Sequence, residues 1–211
     1  MRAFQLFIKR TCDIVISFFA LVILLPLFLV IAVFIKLTSP GPVFFLQERI
    51  GLHGKVFKIV KFRSMVMNAE HIGEGIRVSS EKDSRITTIG RFLRATSLDE
   101  LPQLINVLGG TMSLCGPRPP VTYVPYKGYD NYPDGFKRRF DMRPGITGLA
   151  QATLRNSGTW DERIVIDLKY VQNFSLWLDI KVFLLTIKKV LKSDSIYGVS
   201  NRDPQETEVN K

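Results

Sequence analysis

The stretch IVISFFALVILLPLFLVIAVFI, Ile14 to Ile35, decides the fold class. Apart from Ser17 it is wholly apolar, with Asp13 before it and Lys36 after it. A run of about 22 residues makes a straight helix of about 33 Å, enough for a hydrocarbon core of about 30 Å. It is longer than the apolar core of a signal peptide, and no small-residue cleavage site follows it. Pro26 lies near its middle. Proline cannot donate to the Val22 carbonyl and its ring opens that turn, so a kink is expected. Arg2, Lys9 and Arg10 precede the run; Lys36, Arg49, Lys55, Lys58, Lys61 and Arg63 follow it. Such flanks favour the cytoplasm, and a re-entrant helix bent at Pro26 would keep both there. An ordinary kinked spanning helix accommodates the same run.

Over 211 residues the formal net charge is +10 and the pI about 9.8. That balance points to polyanionic partners, and the apolar N-terminus favours anionic lipid over nucleic acid. The two cysteines, Cys12 and Cys115, stand in no metal-ligand spacing. No disulfide is expected, and a reducing, cytoplasmic setting fits.

Thr38-Ser-Pro-Gly-Pro42 stops the helix. Val43 to Leu46 and Val56 to Phe62 flank Gly51-Leu-His-Gly54, which reads as a β-hairpin with His53 in its turn. Lys55, Lys58 and Lys61 would suit an amphipathic helix equally well. Asn68 to Ser84 is polar, contains Gly73, Gly75 and a solvated His71, and reads as a mobile loop. Ile86 to Thr96 is a short basic helix, suited to a core or to a membrane interface. A helix through Leu101 to Leu108 ends at Gly109-Gly110. Pro117, Pro119 and Pro120 make the next segment stiff and non-helical. Lys127 to Pro133 is turn-rich, Phe136 to Phe140 is basic and aromatic, and Arg143 to Gly148 reads as a tight loop. Asp161 to Asn173 and Leu176 to Leu191 are helical by period. In the second, Trp177, Ile180, Phe183, Leu184, Ile187 and Leu191 share an apolar face. Lys181, Lys188, Lys189 and Lys192 lie where they can meet lipid phosphates. Asp194 to Lys211 reads as a disordered tail.

The chemistry centres on Arg94-Ala-Thr-Ser-Leu-Asp99-Glu100-Leu-Pro102-Gln103. Ser97 and Glu100 have capping-box spacing, and Asp99 could instead be the N-cap. Both readings put two carboxylates at the positive end of a helix, which also favours phosphate. Phosphoryl transfer needs a nucleophile or base, a carboxylate-held Mg²⁺, and fixed cations for phosphate oxygens. The chain offers Asp99, Glu100, Lys61, Arg94, Arg118 and Arg143. Arg118 sits between prolines, so its backbone is preorganised for bidentate phosphate binding. There is no Walker A or G-x-G-x-x-G motif, which disfavours kinase and dinucleotide chemistry, and no His/Cys cluster for zinc.

The motifs, taken together, form a series. An apolar N-terminal helix with a central proline precedes Phe57-Lys-Ile-Val-Lys61-Phe-Arg-Ser-Met65. Next come Ser97-Leu-Asp-Glu-Leu-Pro-Gln-Leu-Ile-Asn106 and Met112-Ser-Leu-Cys-Gly-Pro-Arg-Pro119. Arg143-Pro-Gly-Ile-Thr-Gly-Leu-Ala-Gln151, Trp160, Asp167, Tyr170 and Ser175-Leu-Trp-Leu-Asp179 close it. From about Lys9 to Leu191 the chain resembles the monotopic phosphoglycosyl transferases, the bacterial sugar transferase family, in their minimal form. The resemblance implies transfer of a sugar-1-phosphate from a UDP-sugar to polyprenol (undecaprenyl) phosphate, releasing UMP and priming surface glycan assembly. It implies Asp99 as nucleophile in a covalent aspartyl intermediate and Glu100 as the Mg²⁺ ligand. Lys61, Arg94 and Arg118 match the family's phosphate-site cations. It also implies a re-entrant helix broken at Pro26, with the site on the cytoplasmic face of the bacterial inner membrane. Some members carry Ser before that proline; here the position is Leu25.

The expectation is therefore a mostly helical α+β enzyme with a re-entrant membrane helix, interfacial amphipathic helices and a small β-hairpin. Residues 1–39 form the membrane helix, 40–192 the catalytic domain and 193–211 the tail. Expected partners are UDP-sugar, polyprenol phosphate and the anionic inner membrane, without nucleic acid, and with a homo-oligomer left open. Direct in-line transfer without a covalent intermediate is the rival mechanism. A non-enzymatic basic protein that binds membrane or nucleic acid is the rival class.

Overall fold

The computed structural model describes residues 2–72, 83–154 and 158–191. The expected mobile loop lies largely outside them, and the expected tail wholly so. The apolar N-terminal run forms helix α1, Arg2–Thr38. Helical structure continues through Pro26, so the break expected there is not an interruption of the helix. One missing hydrogen bond does not end a helix whose flanking turns are intact. Lys9, Asp13, Ser17, Phe28, Ile31 and Ile35 are buried, and Leu21 and Leu24 pack between them. At 3.6 residues per turn these positions form one stripe along the whole helix. Off the stripe, from Ile14 to Ile35, the helix is apolar and largely exposed, with Ile23 73% accessible.

The stripe meets a body made of a hairpin, short helices and a small parallel pairing. Strands β1 (Phe44–Ile50) and β2 (Val56–Phe62) pair antiparallel around a turn in which His53 takes a left-handed backbone. The hairpin is the one expected, with β1 running four residues further. Helix α2 (Thr88–Ala95) follows, capped by the Thr87 hydroxyl, which accepts from the Gly90 N–H. A 3₁₀ turn over Leu98–Gln103 leads into α3 (Leu104–Leu108), which Gly109 and Gly110 end as expected. Strand β3 (Ser113–Cys115) pairs in parallel with β4 (Gly145–Thr147). Between them lies α4 (Asp134–Lys137), and after them α5 (Leu149–Thr153), α6 (Trp160–Gln172) and α7 (Leu176–Leu191). The two cysteines are free.

Two local expectations are corrected. Ser97 is left-handed at φ 58° and makes no capping bond, so neither it nor Asp99 caps a helix. The Glu100 carboxylate is drawn away to cations instead. The capping box that does form is Thr159 with Glu162, opening α6. Arg143 to Gly148 is not a loop, because its centre is β4. A Cβ on Gly145 would lie 2.1 Å from the Gly116 nitrogen, and one on Gly148 would lie 2.2 Å from the Gly116 carbonyl oxygen. Only glycine lets these two backbones approach so closely.

The body holds both halves of α1. Near its start, Asp13 accepts from the Ser113 hydroxyl at 2.7 Å and the Leu114 N–H at 3.1 Å. Arg10 donates to the Val107 and Leu108 carbonyls at the end of α3, where Val107 also accepts from the Gly110 N–H. Near its end, Phe28, Ile31 and Ile35 pack with Phe62 and Leu93. Leu93→Ala should cost about 2–5 kcal/mol because that side chain is wholly buried. Val165→Ala, on the exposed side of α6, should stay within about 0.5 kcal/mol. Thermal unfolding midpoints of the two variants in detergent micelles check this; equal shifts would show that the α1–α2–β2 contact is not a core.

Candidate active site

The site is built where the 3₁₀ turn packs on β2. The hairpin register places Arg49 opposite Phe57, Gln47 opposite Ile59 and Phe45 opposite Lys61. Alternate residues share a face, so Arg49 and Lys61 project to the same side. The 3₁₀ turn brings Asp99 and Glu100 there, and the proline segment after β3 brings Arg118. Lys61 Nζ meets Glu100 Oε1 at 2.6 Å, and Arg118 Nη2 meets the same oxygen at 3.2 Å. Arg49, Ile59, Gln103, Pro119 and Gly145 complete the cleft wall around Lys61, Glu100 and Arg118. Arg94, in the last turn of α2, places its charge near Asp99.

The two adjacent carboxylates differ sharply. Burial would raise the pKa of Glu100, but Lys61 and Arg118 overcome it and hold the group well below the usual carboxylate range. Asp99 has no side-chain partner among the described residues. Burial, reinforced by the Glu100 charge, pushes it up to about 6 against the pull of Lys61 and Arg94. Burial also lowers Lys61, with Glu100 opposing, and lowers Arg49 to about 10, aided by Arg118. Arg49, Lys61, Arg94 and Arg118 outnumber the two carboxylates, so the site carries net positive charge and suits a polyanion. Asp99 and the Glu100 Oε2 atom, which takes no hydrogen bond from a described residue, are hard oxygen donors on adjacent residues. They fit a Mg²⁺ that completes its shell with substrate phosphate oxygens and water. Among the described residues no cluster of three or more His, Cys, Asp or Glu could cage a metal without substrate.

The structure thus brings together Asp99, Glu100, Lys61, Arg94 and Arg118. Arg143 is not among them. Its Nε donates to the Gly110 carbonyl at 2.8 Å, and its charge lies by Arg10 at the end of α3. Arg49 went unnoticed as a site residue; pairing the hairpin and counting by twos from Lys61 would have found it.

The bacterial sugar transferase family model matches residues 4–193. The chain belongs to that family. It is 44% identical over 194 residues to the UDP-glucose:undecaprenyl-phosphate glucose-1-phosphate transferase of Xanthomonas campestris pv. campestris, covering 90% of this chain and 40% of that one. To the protein of the same name from Caulobacter vibrioides it is 41% identical over 198 residues, covering 90% and 72%. To the undecaprenyl-phosphate galactose phosphotransferase of Salmonella typhimurium it is 43% identical over 205 residues, covering 90% and 42%. The chain therefore spans about two-fifths of the length of the first and third of these relatives.

The asymmetry between the carboxylates has a measurable consequence. Glu100→Gln breaks the ion pair of the half-buried Lys61 ammonium and leaves it only the Asp99 carboxylate nearby, so the protein should lose about 1–3 kcal/mol. Asp99→Asn should be neutral or stabilising. The native state holds the Asp99 proton up to about pH 6, whereas an unfolded aspartate loses it near pH 4. Holding that proton therefore costs the fold stability as pH rises from about 4 to about 6, so the gain from asparagine should be full above about 6 and vanish toward pH 4. Unfolding midpoints across pH in EDTA, without nucleotide, check both. Destabilisation by Asp99→Asn at pH 7.5 would contradict the assignment.

Proposed function

We propose that this enzyme transfers a sugar-1-phosphate from a UDP-sugar to undecaprenyl phosphate through an aspartyl phosphosugar intermediate. The observation that carries the reading is the divided carboxylate pair. Glu100 is tied to Lys61 and Arg118, while Asp99 beside it is buried among cations and has no side-chain partner among the described residues. The family and the names of the relatives supply the substrates. Those names differ in the sugar and agree in undecaprenyl phosphate.

Lys61, Arg49 and Arg118 receive the diphosphate and spread its charge. Asp99, as carboxylate, attacks the phosphorus that bears the sugar. The bond from that phosphorus to the UMP oxygen breaks, UMP leaves with the electron pair, and an acyl phosphate joins Asp99 to the sugar phosphate. An anionic oxygen of undecaprenyl phosphate then attacks the same phosphorus and Asp99 departs as carboxylate. No proton need move in either step. A Mg²⁺ held by Glu100 and the substrate would offset repulsion between anions. A two-step path also suits substrates that arrive from water and from lipid, since the two anions never share the site.

With UDP-sugar and Mg²⁺ but no lipid acceptor, the enzyme should release a burst of UMP comparable to its own concentration and gain the mass of one sugar phosphate. Asp99→Asn should do neither. UMP release that waits for undecaprenyl phosphate, with no trappable adduct, would favour direct in-line transfer.

The same reading includes a re-entrant topology. Helix α1 is long and apolar enough to cross a membrane. The body grips residues near both of its ends, which favours a helix that stays continuous but bends at Pro26, entering and leaving by one face, the cytoplasmic one by its basic flanks. In a background of Cys12→Ser and Cys115→Ala, Ala3→Cys and Lys55→Cys should both react with an impermeant thiol reagent in inverted vesicles and neither in intact cells. Labelling of Ala3→Cys in intact cells would establish a straight crossing.

A further inference from the structure

Pro117-Arg118-Pro119-Pro120 has a single backbone N–H, that of Arg118, because proline has none. The segment must be held through its carbonyls, and all four are taken. The Gly145 N–H donates to the Pro117 oxygen and the Ile50 N–H to the Pro120 oxygen, both at 3.0 Å. Arg49 Nη1 donates to the Pro119 oxygen at 3.0 Å. Arg139 Nη2 donates to the Arg118 oxygen at 2.9 Å. Two of the four donors are therefore guanidiniums standing in for backbone amides.

Arg139 differs from Arg49 in where it sits. It is not among the residues lining the Glu100 cleft. Its Nη2 also meets Asp167 Oδ2 of α6 at 2.6 Å, and the side chains are only 3% and 2% exposed. A charged pair that deep is costly to desolvate and is weak evidence for stability. What the pair does do is fix one backbone oxygen, that of the residue whose side chain reaches Glu100. We propose that Arg139, oriented by Asp167, is a positioning residue that sets where the Arg118 guanidinium meets Glu100 and an incoming phosphate. The link runs from α6 through Asp167 and Arg139 to the Arg118 main chain, and through its side chain to Glu100 at 3.2 Å. The flanking prolines make this segment rigid, so a shift of the Arg118 carbonyl carries the side-chain origin with it.

The kinetic part of the test rests on the functional reading above; a second part does not. Arg139→Met with Asp167→Leu replaces the pair by apolar groups, a kind of change that buried ion pairs often tolerate without loss of stability. The thermal midpoint should hold while kcat/KM for UMP release falls about 10- to 100-fold, the scale of a 1 Å misplacement. In an Arg118→Ala background the same two substitutions should change kcat/KM less than about twofold, because the residue they act through is gone. Equal losses in both backgrounds would overturn the proposal, since a merely structural role does not depend on Arg118. The second part is the coupling between Arg118→Ala and Glu100→Gln measured on unfolding midpoints. It should disappear in the Met/Leu background, and its persistence there would overturn the proposal. A wild-type protein that releases no UMP would refute the functional reading and leave this unfolding cycle to decide. Should the Met/Leu variant not fold, Arg139→Lys serves. Its single ammonium is claimed by Asp167, so the kinetic loss should appear with the midpoint retained, and full activity would overturn the assignment.

Discussion

Two carboxylates on consecutive residues of a half-buried cleft repel one another unless counter-charges offset one of them. The rest of the site follows from how this is met at Asp99 and Glu100. Glu100 takes Lys61 from the hairpin and Arg118 from the proline segment on one oxygen. Among the described residues Asp99 is then left without a side-chain partner, which no purely structural arrangement requires. An unpaired buried carboxylate lowers stability and raises basicity together, and such sites are typical of catalysis. The fold serves this pair by convergence: β2, the 3₁₀ turn and the segment after β3 are far apart in sequence and each contributes one part.

The convergence depends on close backbone packing that few residue types allow. Gly116, Gly145 and Gly148 let the two Gly-Pro motifs lie against one another as β3 and β4. The chain between Cys115 and Thr147 returns to its starting point, and Arg118 is presented from that closed ring. Its prolines limit the ring to a narrow set of shapes.

The sequence was most legible where periodicity was strong. Helix α1, the β1–β2 hairpin, α6 and α7 each have a pattern long enough to place the element, although the apolar face legible on α7 is the one left exposed, while Leu178, Val182 and Leu185 pack. The ends of the Asp99 segment were not legible, because a capping-box spacing is also satisfied by a left-handed Ser97 with Glu100 turned to Lys61. The β3–β4 pairing escaped because three-residue strands carry no period and their partner lies some thirty residues away. Arg143 shows the limit of residue type as a guide. A guanidinium in a Gly-Pro loop fits phosphate or a helix-end carbonyl equally, and only the fold puts it at Gly110.

The exposed apolar surfaces of α1 and α7 are tied to the same framework by polar contacts. An apolar helix has no preferred rotation in a uniformly apolar setting, so something directional must set it. Lys9 supplies this by meeting Asp179 of α7 at 2.6 Å and the Cys115 carbonyl at 2.9 Å, while Tyr170 of α6 donates to the other Asp179 oxygen at 2.6 Å. Hydrogen bonds of that kind specify one register where dispersion would accept several. Asp179 sits on the helix that leaves Trp177, Ile180, Phe183, Leu184 and Ile187 exposed. Locking Lys9 to Asp179 therefore fixes the exposed face of α1 relative to the exposed face of α7. Cys115, whose carbonyl Lys9 also holds, ends β3 two residues before the proline segment that carries Arg118. The contact that orients the apolar surfaces thus lies within a few residues of the one that orients a cation of the site.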